Sequence, residues 1–147
     1  TIFRQQIQLA NELNKPIILH IRKLYEEAIE ILEKEKFNNN VIFHFFKGKQ
    51  KDLDKILEHP NYYISFSGVI TYDDSLDKII YNVPLERLLV ETDAPYVSPM
   101  PKKEVKNEPL FVKYTIEHIA KVKNVSLSKI EQITYENTLK VFNIPNV

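Results

Sequence analysis

The chain has 147 residues, of which 44% are hydrophobic, so its length suits one domain with a core of its own. Twenty basic and twenty acidic side chains cancel to a formal net charge of zero, so overall charge does not favour binding to nucleic acids or membranes. The absence of cysteine excludes a disulfide framework and a thiolate metal site, and no apolar run is long enough to span a bilayer, so we expect a cytoplasmic protein, with the nucleus as an alternative.

Hydrophobic periodicity predicts alternating helices and strands along the chain. The predicted elements are a helix over 2–13, a strand over 17–20, a helix over 24–36, a strand over 41–45, a helix over 51–57, a strand over 62–66, a helix over 75–81, a strand over 88–91, a proline-rich loop over 93–107, a helix over 108–123, and two shorter helices that follow Ser126 and Thr134. The strands are apolar throughout, which is typical of a parallel sheet buried on both faces. The sequence therefore predicts the α/β class.

Four strands are about half of what a (β/α)₈ TIM barrel of roughly 250 residues requires. The chain also opens inside a helical pattern, in which Phe3, Ile7 and Leu13 share one face. We therefore expect residues 1–147 to be the C-terminal portion of a single barrel domain, with about four upstream strands missing. A small open sheet that is complete in itself is the alternative.

Three of the predicted strands end in residues that commonly bind metals. His20 ends the first strand, His44 follows it by 24 residues at the end of the second, and Asp93 follows the fourth strand. Because the carboxyl ends of parallel strands meet at one edge of a sheet, we expect these three side chains to converge. Two imidazoles and a carboxylate predict a metal site with His20, His44 and Asp93 as ligands.

Glu91 lies two residues before Asp93, so the two carboxylates point to the same side of a strand. We expect Asp93 to act as a ligand and a general base, and Glu91 to assist catalysis by orienting a ligand. An ordinary salt bridge between Glu91 and Arg87 or a lysine remains the alternative.

The loops that follow these strand ends are basic. Arg22 and Lys23 follow His20, and further lysines follow the other two predicted ligands: Lys47, Lys49, Lys51, Lys102, Lys103 and Lys106. Positive charge around a metal attracts an anion such as a phosphate ester. We expect a substrate phosphate to be bound by these four side chains: Arg22, Lys47, Lys102 and Lys103. Arg22 is also a candidate for stabilising charge in catalysis. Solvated, lysine-rich loops without a ligand are the alternative.

Several segments resemble the TatD-type metal-dependent deoxyribonucleases. The resemblance is carried by Pro16–Arg22, Tyr63–Gly68, Leu88–Tyr96, Asn107–Pro109 and Glu136–Asn137. It implies an amidohydrolase-like (β/α)₈ barrel that hydrolyses DNA phosphodiesters with two divalent metal ions, of which Mg, Mn and Zn are the candidates. It also implies that His20, His44 and Asp93 are metal ligands.

The chain departs from the family pattern in two ways. It has no counterpart of an upstream His-x-His pair and a glutamate that complete the family's ligands, as expected of a C-terminal portion. In addition, Lys23 stands where the family often has aspartate, and Lys47 stands where it often has serine or threonine. Both changes add positive charge near the predicted site.

Three functions remain open at this point. The leading one is a metal-dependent deoxyribonuclease with DNA as its partner and no membrane association. The second is a related metal-dependent hydrolase that acts on another ester or on an amide, because a barrel does not determine its substrate. The third is a non-catalytic half-barrel that needs its N-terminal half or another pairing chain.

Overall fold

A computed structural model describes residues 1–145 of the chain. Its helices and strands are α1 Ile2–Glu12, β1 Ile17–His20, α2 Tyr25–Lys34, β2 Val41–His44, α3 Gln50–Leu57, β3 Tyr62–Phe66, α4 Asp77–Asn82, β4 Leu88–Val90, α5 Val112–Lys123 and α6 Leu127–Val141. Within the described residues, no helix combines the length and the hydrophobicity that crossing a membrane requires.

The four strands form one parallel sheet in the order β1-β2-β3-β4. Each strand pairs with the strand before it in sequence, and a helix connects β1 to β2, β2 to β3 and β3 to β4. In this register His20 lies directly beside His44. The predicted α/β class and parallel sheet are confirmed, and the carboxyl ends of all four strands lie at one edge.

Side chains alternate between the two faces of the sheet because successive residues of a strand point in opposite directions. One face joins the main core with the helices, through Leu19, Phe43, Ile64 and Leu88. The other face, here called the inner face, carries Ile42, Tyr63 and Leu89, which form a second small core with Val141. His44 lies two residues beyond Ile42 and therefore belongs to the inner face.

The carboxyl end of α6 covers the inner face near the amino ends of the strands. Val141 packs there, and its backbone carbonyl accepts a hydrogen bond of 3.0 Å from Nδ2 of Asn40, the residue before β2. The chain's own last helix thus covers the inner face of β2, β3 and β4 at the end opposite His44.

Apolar side chains along the outer edge of β1 remain exposed. Ile18 is 56% exposed and Leu13 is 58% exposed, although Leu13 was expected to share the buried face of α1 with Ile7. A cleft of about 480 Å³ separates α1 from this edge. Within the described residues β1 pairs only with β2, so its other edge is open, and Ile18, in register with Ile42, lies on the inner face beside that edge.

The two short helices predicted after Ser126 and Thr134 are wrong, because the structure has one continuous helix, α6. Ser126 does cap it, since its Oγ accepts a hydrogen bond from the backbone N–H of Lys129 at 3.3 Å. The Thr134 hydroxyl instead donates to the carbonyl of Ile130 at 2.8 Å. A threonine can bond back to the preceding turn in this way inside a helix, so its presence alone does not mark a helix start.

In two other predicted helices, the first residues form a 3₁₀ turn, and the α-helix begins only after it. A 3₁₀ turn at Asp74–Leu76 precedes α4, and another at Pro109–Phe111 precedes α5. Tight turns of this kind are frequent at the amino ends of α-helices. The predictions for these segments were right about helical backbone and wrong about its type over the first residues.

Candidate metal centre

Three side chains that can bind a metal converge at the carboxyl edge of the sheet. His44 is the last residue of β2, while Glu91 and Asp93 follow β4, and one donor atom of each lies within 4.8 Å of the others. All three side chains are partly buried. The parallel register accounts for this convergence, because β2 and β4 flank β3 and their carboxyl ends lie at the same end of the sheet.

The Glu91 carboxylate is held by three donors. Its Oε1 accepts hydrogen bonds from Nδ1 of His44 at 2.7 Å and from the backbone N–H of Phe45 at 2.9 Å. Its Oε2 accepts one from the Ser65 hydroxyl at 2.5 Å. Burial raises the pKa of Glu91, and the contacts with Ser65 and His44 act in the opposite direction. Both oxygens are occupied, so this carboxylate is better placed to orient His44 than to bind a metal itself.

The contact with Glu91 determines which nitrogen of His44 is free. A carboxylate at Nδ1 favours the tautomer with the proton on Nδ1, which leaves a lone pair on Nε2. That Nε2 lies 3.7 Å from Oδ1 of Asp93. Two lone-pair donors at this separation fit a single cation, since metal bonds of about 2 Å to each donor allow such a spacing. The residues present therefore suit a divalent metal.

His20 stands beside this group. Its ring centroid lies 5.3 Å from that of His44, and its side chain is exposed on the open side of the sheet. Within the described residues, the group whose donor atoms lie within 4.8 Å of one another consists of His44, Glu91 and Asp93 and does not include His20. The three predicted ligands lie at the same end of the sheet, with His44 next to each of the other two, and their assignment as ligands stays a prediction.

Asp93 owes its position to an unusual backbone and to one amide side chain. Its φ of 59° lies in the left-handed region, as does the φ of 50° at Phe45, and such values outside glycine occur often at functional sites. The buried Asn107 holds the flanking loop, because its Nδ2 donates to the carbonyls of Thr92 and Tyr96, both at 2.6 Å. The predicted 93–107 loop is therefore irregular but anchored.

The predicted phosphate-binding residues separate into two groups. Arg22 and Lys47 line a cleft of about 360 Å³ together with His20. Lys47 also forms an ion pair of 3.2 Å with Asp73. Lys102 and Lys103 lie outside this cleft, and the Lys103 ammonium sits over the Tyr72 ring at 4.4 Å. The structure thus brings Arg22 and Lys47 to the same cleft as His20, one of the predicted ligands, and places Lys102 and Lys103 outside it.

Sequence reasoning missed several residues that build the site. Ser65 was not predicted to belong to the site, because its strand carries no metal ligand. A single polar residue in a buried apolar strand nevertheless indicates a polar partner nearby, which here is Glu91. Tyr25 lines the cleft and its hydroxyl accepts a hydrogen bond of 3.3 Å from the backbone N–H of Lys47. Neither this contact nor the pairing of Asp73 with Lys47 follows from spacing along the chain.

Comparison with known proteins relates the chain to one family. The family model described as "TatD related DNase" matches residues 1–143. An uncharacterised metal-dependent hydrolase of Bacillus subtilis, YabD, is 37% identical over 97% of this chain and 57% of its own length. One of Methanocaldococcus jannaschii, MJ1582, is 38% identical over 96% of this chain and 54% of its own length. The chain thus spans little more than half the length of these relatives.

A human relative and two solved structures complete the comparison. The human protein TATDN2, named a 3'-5' RNA nuclease, is 33% identical over 97% of this chain and 20% of its own length. The crystal structure of YJJV, a TatD homologue from Escherichia coli K12, superposes with a TM-score of 0.87 at 26% identity, over 96% of this chain and 55% of that one. A TatD family hydrolase from Entamoeba histolytica gives a TM-score of 0.86 at 20% identity, over 97% and 56% of the two chains. These neighbours confirm the predicted fold class.

Replacing Glu91 tests its orienting role. In the full-length protein Glu91→Gln keeps the shape but removes the charge that holds the Nδ1 proton of His44. We expect the affinity for Mn²⁺ or Zn²⁺ to fall by about 10–100-fold, as for other groups that orient a metal ligand. Isothermal titration calorimetry measures this. Glu131→Gln, the same change on the exposed surface of α6, is the control, and equal affinities of the two variants would contradict the role.

Replacing Asn107 tests the anchoring of Asp93. Asn107→Ala leaves the carbonyls of Thr92 and Tyr96 without their donor, so we expect a loss of about 1–3 kcal/mol in stability together with weaker metal binding. Asn61→Ala removes a similar amide contact, to the carbonyl of Asn39, before the amino end of β3. It should lower the unfolding midpoint in urea without changing metal affinity. If both variants bind metal equally well, Asn107 does not position Asp93.

Proposed function

This chain belongs to the TatD family of metal-dependent hydrolases, and from that we propose that the full-length protein hydrolyses phosphodiester bonds of DNA. The observation that carries the proposal is the approach of His44 Nε2 to Asp93 Oδ1, at 3.7 Å, next to a cleft lined by Arg22 and Lys47. A site that combines metal ligands with guanidinium and ammonium groups suits an anionic ester better than a neutral amide.

Each of the chain's own residues at the site has a separate role in the proposed hydrolysis. His20, His44 and Asp93 would hold a divalent cation, which supplies Lewis-acid activation of water and of the phosphoryl group. Glu91 keeps the proton on Nδ1 of His44, so that Nε2 stays available as a ligand. Asp93 accepts the proton that the attacking water releases. Arg22 and Lys47 bind the phosphoryl oxygens and stabilise the negative charge that develops on them.

We propose two ions for the full-length protein, with Mg, Mn and Zn as the candidates. The support is chemical: the donor set consists of imidazole nitrogens and carboxylate oxygens, which suit these metals, and it holds no sulfur ligand in the described residues. The relatives' greater length leaves room for further ligands outside this chain.

RNA is the second candidate substrate. One observation favours it, namely that the human relative is named a 3'-5' RNA nuclease. The cationic groups of the cleft bind phosphate, which both nucleic acids share, so substrate assays have to separate the two.

Cleavage assays on the full-length protein test the proposed function. We expect labelled DNA oligonucleotides to be cut with at least one of Mg²⁺, Mn²⁺ and Zn²⁺, and EDTA to abolish cutting. Asp93→Asn should lower kcat by about 10²–10⁴-fold, because it removes both a charged ligand and the proton acceptor. Glu131→Gln on α6 serves as the control.

An RNA oligonucleotide of the same sequence and a small phosphotriester run in parallel. If only the RNA is cleaved, RNA and not DNA is the substrate. Turnover of the phosphotriester without cleavage of either nucleic acid would favour the other type of hydrolase, and no turnover with any metal would leave the non-catalytic reading.

We also propose that the open edge of β1 pairs with strands from the N-terminal half of the same protein. The support is the exposure of Ile18 and Leu13 at this edge and the relatives' length, which is nearly twice that of the chain. An unpaired strand edge with apolar side chains is a template for pairing with another chain. In the complete barrel these side chains become part of the core.

Sedimentation of the isolated chain tests the edge. We expect residues 1–147 alone to form dimers or larger aggregates, and Ile18→Lys to reduce this association, because a charge on an edge strand opposes pairing. Tyr135→Lys changes an equally exposed side chain, at 55%, on α6 and is the control. A stable monomer of the unmodified chain at micromolar concentration would contradict the proposal.

A further inference from the structure

A second cleft adjoins the one that His20, Arg22 and Lys47 line. It has a volume of about 370 Å³, and four lysines contribute to its lining: Lys23, Lys47, Lys49 and Lys51. Lys23, Tyr25 and Lys47 line both clefts, so the two share one wall. We call the second cleft the lysine groove. It leads away from His20 towards the amino end of α3.

The lysine groove concentrates charge in a chain whose net charge is zero. Asp52 also lines it, but one oxygen of its carboxylate is occupied by the backbone N–H of Lys49 at 2.7 Å. Asp73 neutralises Lys47 from outside the groove. Cations at the amino end of a helix oppose its dipole, so Lys49 and Lys51 reduce the stability of α3. Stability of the fold therefore does not explain why lysines stand here.

Tyr25 gives the groove a rigid polar wall. Only 4% of this residue is exposed, and its ring packs against that of Phe46 with centroids 5.0 Å apart. Gly48 lets Phe46 approach, since a Cβ at Gly48 would lie 2.5 Å from the Phe46 ring. Among the described residues, the Tyr25 hydroxyl accepts a hydrogen bond from the backbone N–H of Lys47 and donates none. Its own hydrogen is thus available to a ligand oxygen.

These features together describe a site for a phosphate that is separate from the metal centre. The ammonium groups supply charge, and the buried phenol supplies a fixed neutral donor. The first two amides of α3, those of Gln50 and Lys51, have no partner within the helix and point towards its amino end, where they also favour an anion. Because the two clefts share a wall, an extended ligand can occupy both at once.

We propose that the lysine groove binds the non-scissile phosphate next to the cleaved bond on the same nucleic-acid strand. This inference rests on the proposed function, because that function identifies the ligand as a nucleic acid. The groove itself requires no metal, so binding can be measured without one. The chemistry recognised is the phosphate backbone, which is common to DNA and RNA.

Salt-dependent binding of the full-length protein tests the groove. The probes are a fluorescein-labelled single-stranded DNA of ten nucleotides and the RNA of the same sequence. Their binding is followed by fluorescence anisotropy in EDTA while the salt concentration is raised about fourfold, from about 50 to about 200 mM, because salt weakens phosphate contacts. In the double variant Lys49→Ala/Lys51→Ala we expect the plot of log K against log salt to become shallower by about 0.7 per lost contact. The control Lys129→Ala/Lys140→Ala removes the same charge from the exposed surface of α6.

Tyr25→Phe gives an independent readout. It keeps the packing against Phe46 and removes the hydroxyl, so we expect weaker binding of both probes with an unchanged salt slope, because no charge is lost. In cleavage assays with the active metal, the lysine double variant should raise KM for the decamers and leave kcat close to that of the control.

Two outcomes would overturn the inference. One is an unchanged salt slope in Lys49→Ala/Lys51→Ala for both decamers. The other is a loss of affinity in the lysine double variant that is as large for a dinucleotide with a single phosphodiester as for the decamers. That result would mean that these lysines bind the scissile phosphate. Binding of the decamers that depends on the lysines supports the groove even if no cleavage occurs, whereas cleavage without lysine-dependent binding supports only the proposed function.

Discussion

The hydrogen bond from Nδ1 of His44 to Oε1 of Glu91 is the interaction on which the site depends. It joins the end of β2 to the segment after β4, across β3, and the Ser65 hydroxyl adds β3 itself to the same carboxylate. Polar groups buried at this depth are costly unless they are fully paired, and here each oxygen of Glu91 has a donor. The arrangement fixes the His44 ring, directs its free nitrogen to Asp93, and ties three strands together at the edge where chemistry would take place.

The sequence was sufficient for the fold and for the corner that holds the site. Apolar runs four to five residues long, separated by helical patterns, predict parallel strands, and the structure has all four of them at the expected positions. Once the strands are known to be parallel, His44 and Asp93 must lie at the same edge, because polarity alone places strand ends together. Spacing along the chain thus predicts which side chains share an edge, although not how far apart their atoms lie.

Other parts of the site depend on information that spacing does not contain. The link between Ser65 and Glu91 requires the side-by-side order of the strands, and the contact of Tyr25 with Lys47 requires the angle at which α2 packs. Lys103 follows Asp93 by only ten residues, yet its loop carries it over the Tyr72 ring instead of into the cleft. Loops such as this one follow their own hydrogen bonds, of which the two from Asn107 are the main example.

The packing of α6 against the inner face also has a practical side. Val141 and Asn40 cover the inner face near the amino ends of the strands, so the opposite end, with the strand ends and their loops, stays free to receive a long ligand. A dye or an affinity handle attached to the exposed Lys140 of α6 would lie near the amino ends of the strands, away from the predicted ligands. Tethering the protein through this residue would therefore leave the strand ends and their loops unobstructed.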